Sequence, residues 1–175
     1  MSTTYRGVMA MAAVALTALW GSATFAAGDA AQEQQALAKA LASVSATLES
    51  GVAAAEAQGT PISAKFELDD QKQLQLSVYT MKGTAFSEVV VDYKTGKIAK
   101  TEPITEGEDL AAAKTQSAAI SKAKLSLRAA IDAAVKSNVG FRAVRAIPAM
   151  KMGAPIATIE VLKGTTFKTV SEKLD

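Results

Sequence analysis

Few residues in this chain could do chemistry, and the densest group is "SKAKLSLR", which brings Ser121, Lys122, Lys124, Ser126 and Arg128 together on a helical pattern. A serine activated by a lysine is a route to acyl transfer that needs no histidine. It also needs a desolvated lysine and an oxyanion hole, and nothing in the surrounding residues argues for either. Lys124 falls on an otherwise apolar stripe, where a long side chain snorkels from the helix edge to water. A second group is "AIPAMKMGAPI", in which Met150 and Met152 flank Lys151 between Pro148 and Pro155. Paired thioethers can hold Cu(I), and they equally make an adaptable apolar contact for a partner. Read as a proline-stiffened hairpin loop, this stretch is the first-choice contact site. Two acidic groups, Glu67, Asp69, Asp70 and Glu106, Glu108, Asp109, offer oxygen ligands without the spacing of a calcium loop. The second suits the first turn of a helix, where carboxylates complement the helix dipole.

The missing residue types exclude more than the present ones suggest. The 175 residues contain no histidine and no cysteine. That removes disulfides, thiol catalysis, iron–sulfur clusters, histidine-ligated zinc and the ordinary serine triad. The expectation is a protein without cofactor, metal or catalytic residue. Nineteen basic residues against 17 acidic ones leave a net charge of +2, which offers no concentrated basic face for nucleic acid.

Arg6, the apolar run "GVMAMAAVALTALW" and the small residues of "GSATFAAGDA" are the three parts of a secretory signal. Cleavage after Ala26 is predicted, leaving a soluble periplasmic or secreted chain with no membrane span.

The elements that must position these groups follow from periodicity. Leu37, Leu41, Val44, Leu48, Val52 and Ala55 form one apolar stripe, so a single helix is predicted from about Ala30 until Gly59 and Pro61 end it. Strand alternation follows in "ISAKFEL", "LQLSVYT" and "AFSEVVVDYKTGKI". Thr105 and Glu108 have capping-box spacing ahead of a second long helix. Its stripe runs through Leu110, Ala113, Ser117, Ile120, Leu127, Ile131 and Ala134 or Val135 until Asn138 and Gly140 stop it. Strands return in "FRAVRAI", "PIATIEVL" and "TTFKTVSEKL".

"MKGTAF" at Met81 and "LKGTTF" at Leu162 then stand out as the same turn written twice, 81 positions apart, and Val44, Leu48 and Val52 match Leu127, Ile131 and Val135 at an offset of 83. Two repeats are predicted after the signal, over residues 30–101 and 105–175. In each hairpin Gly83 or Gly164 supplies a positive φ and the following threonine opens the next strand. Lys82 and Lys163 form a candidate pair of basic contacts, although turn chemistry alone explains the motif.

A helix followed by a meander that ends in "VVVDYKTGKI" resembles the PepSY domain, whose last hairpin carries a similar run. Here the run is Val89, Val91, Asp92, Thr95, Gly96 and Ile98. The resemblance covers about Ala36 to Ala99. The second half shares only the helix and hairpins and ends at "SEKLD" without that turn. It implies an α+β fold of duplicated cystatin-like units, each a helix on a three- to four-stranded antiparallel sheet. It further implies binding and restraint of an exported or membrane-linked protein, such as a peptidase, and carries no catalytic residue; Asp92, Thr95 and Gly96 are turn-builders. The function expected is therefore an exported, non-enzymatic module that binds a protein or peptide through a sheet edge or hairpin loop. The rival is a small-molecule or lipid carrier with a cavity between helix and sheet.

Overall fold

The computed structural model describes residues 23–175, with side chains described from residue 30. The leader expected over residues 1–26 lies outside the described residues, apart from the backbone at the start of the first helix. The protein is α+β. Helices α1 (Ala23–Leu41) and α2 (Leu48–Ala55) precede β1 (Thr60–Leu68), β2 (Leu74–Lys82), β3 (Ala85–Val91) and β4 (Ile98–Ile104). Helices α3 (Gly107–Ile120) and α4 (Leu127–Ser137) precede β5 (Arg142–Lys151), β6 (Ala154–Lys163) and β7 (Thr166–Lys173).

Each of the two helices expected from the sequence is broken into a pair. The first stops at Leu41 and restarts at Leu48 because Thr47 forms a reciprocal cap: Ser50 N–H donates to Thr47 Oγ1 at 3.2 Å and Thr47 N–H donates to Ser50 Oγ at 3.1 Å. Hydroxyls offer the backbone an alternative to helical bonding, and a reciprocal pair at that spacing starts a new helix. The second breaks at 121–126, where Ala129 N–H donates to Ser126 Oγ at 3.2 Å. The backbone N–H groups of Lys124 and Leu125 donate there to the Leu174 carbonyl at 2.6 and 3.0 Å. Lys124 is thus an exposed loop residue and not a lysine on an apolar stripe. The cap expected from Thr105 is also absent; Glu106 precedes α3 and makes no capping hydrogen bond with its side chain.

The seven strands form one antiparallel sheet in the order β4-β3-β2-β1-β5-β6-β7. The strands that open the two halves, β1 and β5, meet at its centre, Ala64 opposite Ala146 and Lys65 opposite Arg145. Both are bulged at the corresponding place, between Pro61 and Ser63 and between Ala143 and Arg145. Past the Ala64–Ala146 pair, β1 carries its bulge and β5 carries Pro148, which has no N–H to give a ladder. Helix α3 packs against both strands, with Ala113 buried among Ile62 and Tyr79.

The main core lies under α2 and α4. Leu48, Val52, Leu127 and Ile131 are buried with Phe66, Leu76, Val78 and Ile159 of the sheet. Gly51 permits the approach of α2, since a Cβ there would lie 2.5 Å from a Leu76 methyl carbon. Register aligns the halves more closely than the sequence allowed. Helices α1 and α3 end at Leu41 and Ile120, and α2 and α4 begin at Leu48 and Leu127, each pair separated by 79 positions (120 − 41, 127 − 48). The expected helical offset of 83 is corrected by four residues. That is about one turn, which leaves the apolar stripe on the same face and so hides the slip.

Candidate functional site

The two lysine–glycine hairpins are built alike. Lys82 lies opposite Ala85 and Lys163 opposite Thr166, while Met81 and Leu162 face Phe86 and Phe167. Gly83 and Gly164 take φ of 63° and 61°, so the following Thr84 and Thr165 complete the turn and do not begin the next strand. The two lysines do not form a common basic site. Thr60 at the start of β1 lies beside Met81, and β5 runs antiparallel to β1. The end of the sheet that carries Lys82 therefore also carries Lys151, and Lys163 sits at the opposite end.

Met150 and Lys151 are not in a loop, because β5 runs through Pro148 to Lys151 and β6 starts before Pro155. Lys151 pairs with Ala154, and the turn between them is Met152–Gly153, both at positive φ (51° and 87°). This is the two-residue turn whose twist matches the strands. Met152 is 100% exposed at its tip, whereas Met150 is half-buried opposite Pro155. Asp92, Thr95 and Gly96 form the β3–β4 turn. Lys94 N–H donates to Asp92 Oδ1 at 2.8 Å, Gly96 N–H donates to the Asp92 carbonyl at 2.7 Å, and Gly96 has φ 70°. The Lys94 N–H, then the Thr95 side chain, hydrogen-bond the Asp92 carboxyl and hold it below its ordinary pKa.

Ser121, Lys122, Lys124, Ser126 and Arg128 are all exposed. Ser126 is occupied as a cap, and Arg128 lies 3.7 Å from Glu56. No buried lysine activates a serine in this stretch. Asp69 Oδ1 accepts from Gln71 and Gln73 N–H at 2.9 and 2.8 Å, and among the described residues no three acidic side chains gather to hold a metal. Among those same residues, no helix is long and apolar enough to cross a membrane.

Arg142, which periodicity does not single out, ties the second half to the first. Its guanidinium donates to the carbonyls of Leu41 (3.4 Å), Val44 (2.6 Å) and Ala46, closing the exposed carbonyl end of α1 and fixing the link to α2. Its ring-facing side lies 5.4 Å from the centroid of Phe66. Burial lowers its pKa, opposed by the nearby charge of Glu49. An arginine opening an alternating strand was the only sequence signal.

Beside each hairpin is an open groove. In the second half it is lined by Ala38 and Leu41 of α1 with Phe141, Arg142, Leu162 and Lys163. The corresponding groove of the first half has Gly59, Thr60, Met81 and Lys82, with Glu56 on its rim. Register makes Thr60 the counterpart of Arg142, since each faces the residue before the hairpin lysine. The leading helices are also held at matching strand positions: Tyr79 Oη donates to Asp109 of α3 at 2.6 Å, and Gln34 of α1 donates to Glu160 at 3.1 Å. Burial, then the hydrogen bond to Asp109, raises the Tyr79 pKa.

The outermost strands differ. β4 has Pro103 and an ion pair between Lys100 and Glu102 at 2.7 Å. β7 is eight residues without proline or bulge. Comparison with known proteins finds no match: no protein-family model, curated protein or solved structure matches the chain.

Proposed function

We propose that the chain is an exported, non-enzymatic tandem of two PepSY-like units that binds a protein or peptide by strand addition along β7. What supports this reading most is the contrast between the edges. Both edges carry charged side chains, but β4 is interrupted by Pro103, a device that discourages strand pairing, whereas β7 presents a regular run of unpaired backbone groups without proline or bulge. The parallel construction of the two halves, with capped second helices, bulged first strands and matching hairpins, supports a duplication. The D-x-x-T-G turn of the first half, with its Asp92 hydrogen bonds, supports the PepSY-like reading. A partner that lends a strand fits the restraint of an exported peptidase.

The carrier reading finds less support. The space between helices and sheet is filled by Leu48, Val52, Ile131, Leu76, Val78 and Ile159, each 1% exposed or less. A photo-crosslinking residue at Thr169 of β7, compared with one at Thr101 of β4, tests the proposal on residues 27–175 incubated with a bacterial envelope fraction. Covalent capture of one protein from Thr169 and none from Thr101 is expected. Equal capture from both edges, or capture from neither with a small mass retained in native mass spectrometry, overturns it.

A further inference from the structure

The groove beside the second hairpin is cationic and apolar at once. Its accessible apolar surface is the half-buried Phe141 ring and the exposed Ala42, above a floor of Leu41 and Leu162 that is 2% and 4% exposed; its charges are Arg142 and Lys163, and no carboxylate lines it. Lys163 Nζ stands 5.9 Å from the centre of the Phe141 ring, and among the described residues neither Lys163 nor Arg142 makes an ion pair. Arg142 is largely engaged, because both of its terminal nitrogens already donate to backbone carbonyls. Its charge is nevertheless present behind the groove, with Nε buried and unpartnered. One free ammonium backed by one engaged guanidinium matches a single negative charge better than a phosphate dianion, which calls for several converging donors. Phe141 and Ala42 beside it favour a ligand whose charge sits next to an apolar side chain.

We propose that this groove binds the C-terminal residue of a peptide, the carboxylate on Lys163 and an apolar last side chain against Phe141 and Ala42. The proposal rests on the peptide-binding reading and specifies its ligand. Strand direction favours a peptide over a fatty acid, which has the same chemistry. A strand added antiparallel to β7 runs in the direction of β6, and β6 ends at Lys163. Its C-terminus is thereby delivered to the end of the sheet that holds the groove. The first half lacks the feature, since Gly59 and Thr60 replace the aromatic ring and the guanidinium and Glu56 adds a negative charge.

The test is fluorescence anisotropy on residues 27–175 with labelled pentapeptides randomised over apolar residues at their last two positions. These are prepared as free acids and as C-terminal amides, with laurate as the lipid-like competitor. The free acids are expected to bind at least tenfold more tightly than the amides. Lys163→Gln should lose about tenfold for the acids and nothing for the amides, as expected for one charge-assisted contact, about 1.4 kcal/mol per tenfold. Lys82→Gln, at the equivalent turn, should change neither. Equal binding of acid and amide, an equal loss in both lysine variants, or displacement only by laurate overturns the proposal. If no peptide binds while Thr169 still captures its protein, the groove proposal fails and the strand-addition reading stands. Loss of both would remove the two together. Lys163 is exposed at a turn, so the variant tests binding without disturbing the core.

Discussion

The two halves of the sheet share their carpentry and differ in their fittings. Both run helix, helix and three strands, both start the second helix on a hydroxyl cap, both bulge the first strand, and both turn the second hairpin on glycine. The shared features answer backbone needs: orphan N–H groups at helix starts and positive φ at turns. The differences lie where side chains meet solvent or a neighbouring element. Arg142 stands where the first half has Thr60, Glu160 where it has Tyr79, and only the first half continues into a fourth strand. Such a pattern places what is common in the scaffold and what is distinctive at the two ends of the sheet.

The comparison can be broken most sharply in the core. Leu48 and Leu127 open α2 and α4 and are 0% and 2% exposed, so Leu48→Ala and Leu127→Ala should each cost about 3 kcal/mol of unfolding free energy in urea titrations. A difference greater than about 1.5 kcal/mol would show that one half's core dominates stability. At the next level, Arg142→Leu should destabilise by about 2 kcal/mol, because it strands the carbonyls of Leu41, Val44 and Ala46. Thr60→Val, at the matching position, should cost less than about 0.5 kcal/mol. Hydrogen exchange should show α1 losing protection in the arginine variant alone.

The caps sharpen the equivalence. Thr47→Ala and Ser126→Ala should each lose about 1 kcal/mol by denaturant melting, with the former the larger because it dissolves a reciprocal pair. Tyr79 separates the halves by pH. Its pKa is raised in the fold, so its contribution is complete below the unfolded value of about 10 and is lost as pH rises above it. Tyr79→Phe should flatten that alkaline loss, which a series of thermal melts from pH 8 to about 11 would reveal. The smallest effect belongs to the β3–β4 turn. Asp92 has a depressed pKa, so its contribution is present above the unfolded carboxylate value and fades as pH falls through the folded one. Amide exchange at Lys94 and Thr95 should quicken in acid, and Asp92→Asn should remove that dependence.

Much of the scaffold was legible because it obeys short-range rules. Alternation located six of the seven strands to within a few residues, while β4, which runs on through Pro103 to Ile104, passes the boundary expected at 101; glycine after lysine located both hairpins, since few residues tolerate that φ. The helix breaks were harder to see. Leu37, Leu41, Val44, Leu48, Val52 and Ala55 keep one face whether the helix is continuous or interrupted, and the signal that distinguishes the cases was the hydroxyl density of Ser43, Ser45, Thr47 and Ser50. The same ambiguity placed Lys124 on an apolar stripe when it is in a loop. Met150 was read into a loop because proline usually ends a strand, yet Pro148 and Pro155 are both buried within strands.

The sequence by itself determined the residue types excluded from chemistry, most strand positions, the two lysine–glycine turns, and the fact that one hairpin is written twice, because these depend on composition and on neighbours within a few residues. Only the tertiary structure decided that β1 and β5 join the halves into one sheet, that Lys82 and Lys163 face opposite ends, and that Arg142 reaches about 100 positions back to close α1. Those relations depend on strand direction and on packing between distant segments, and local periodicity is the same for every way of arranging them.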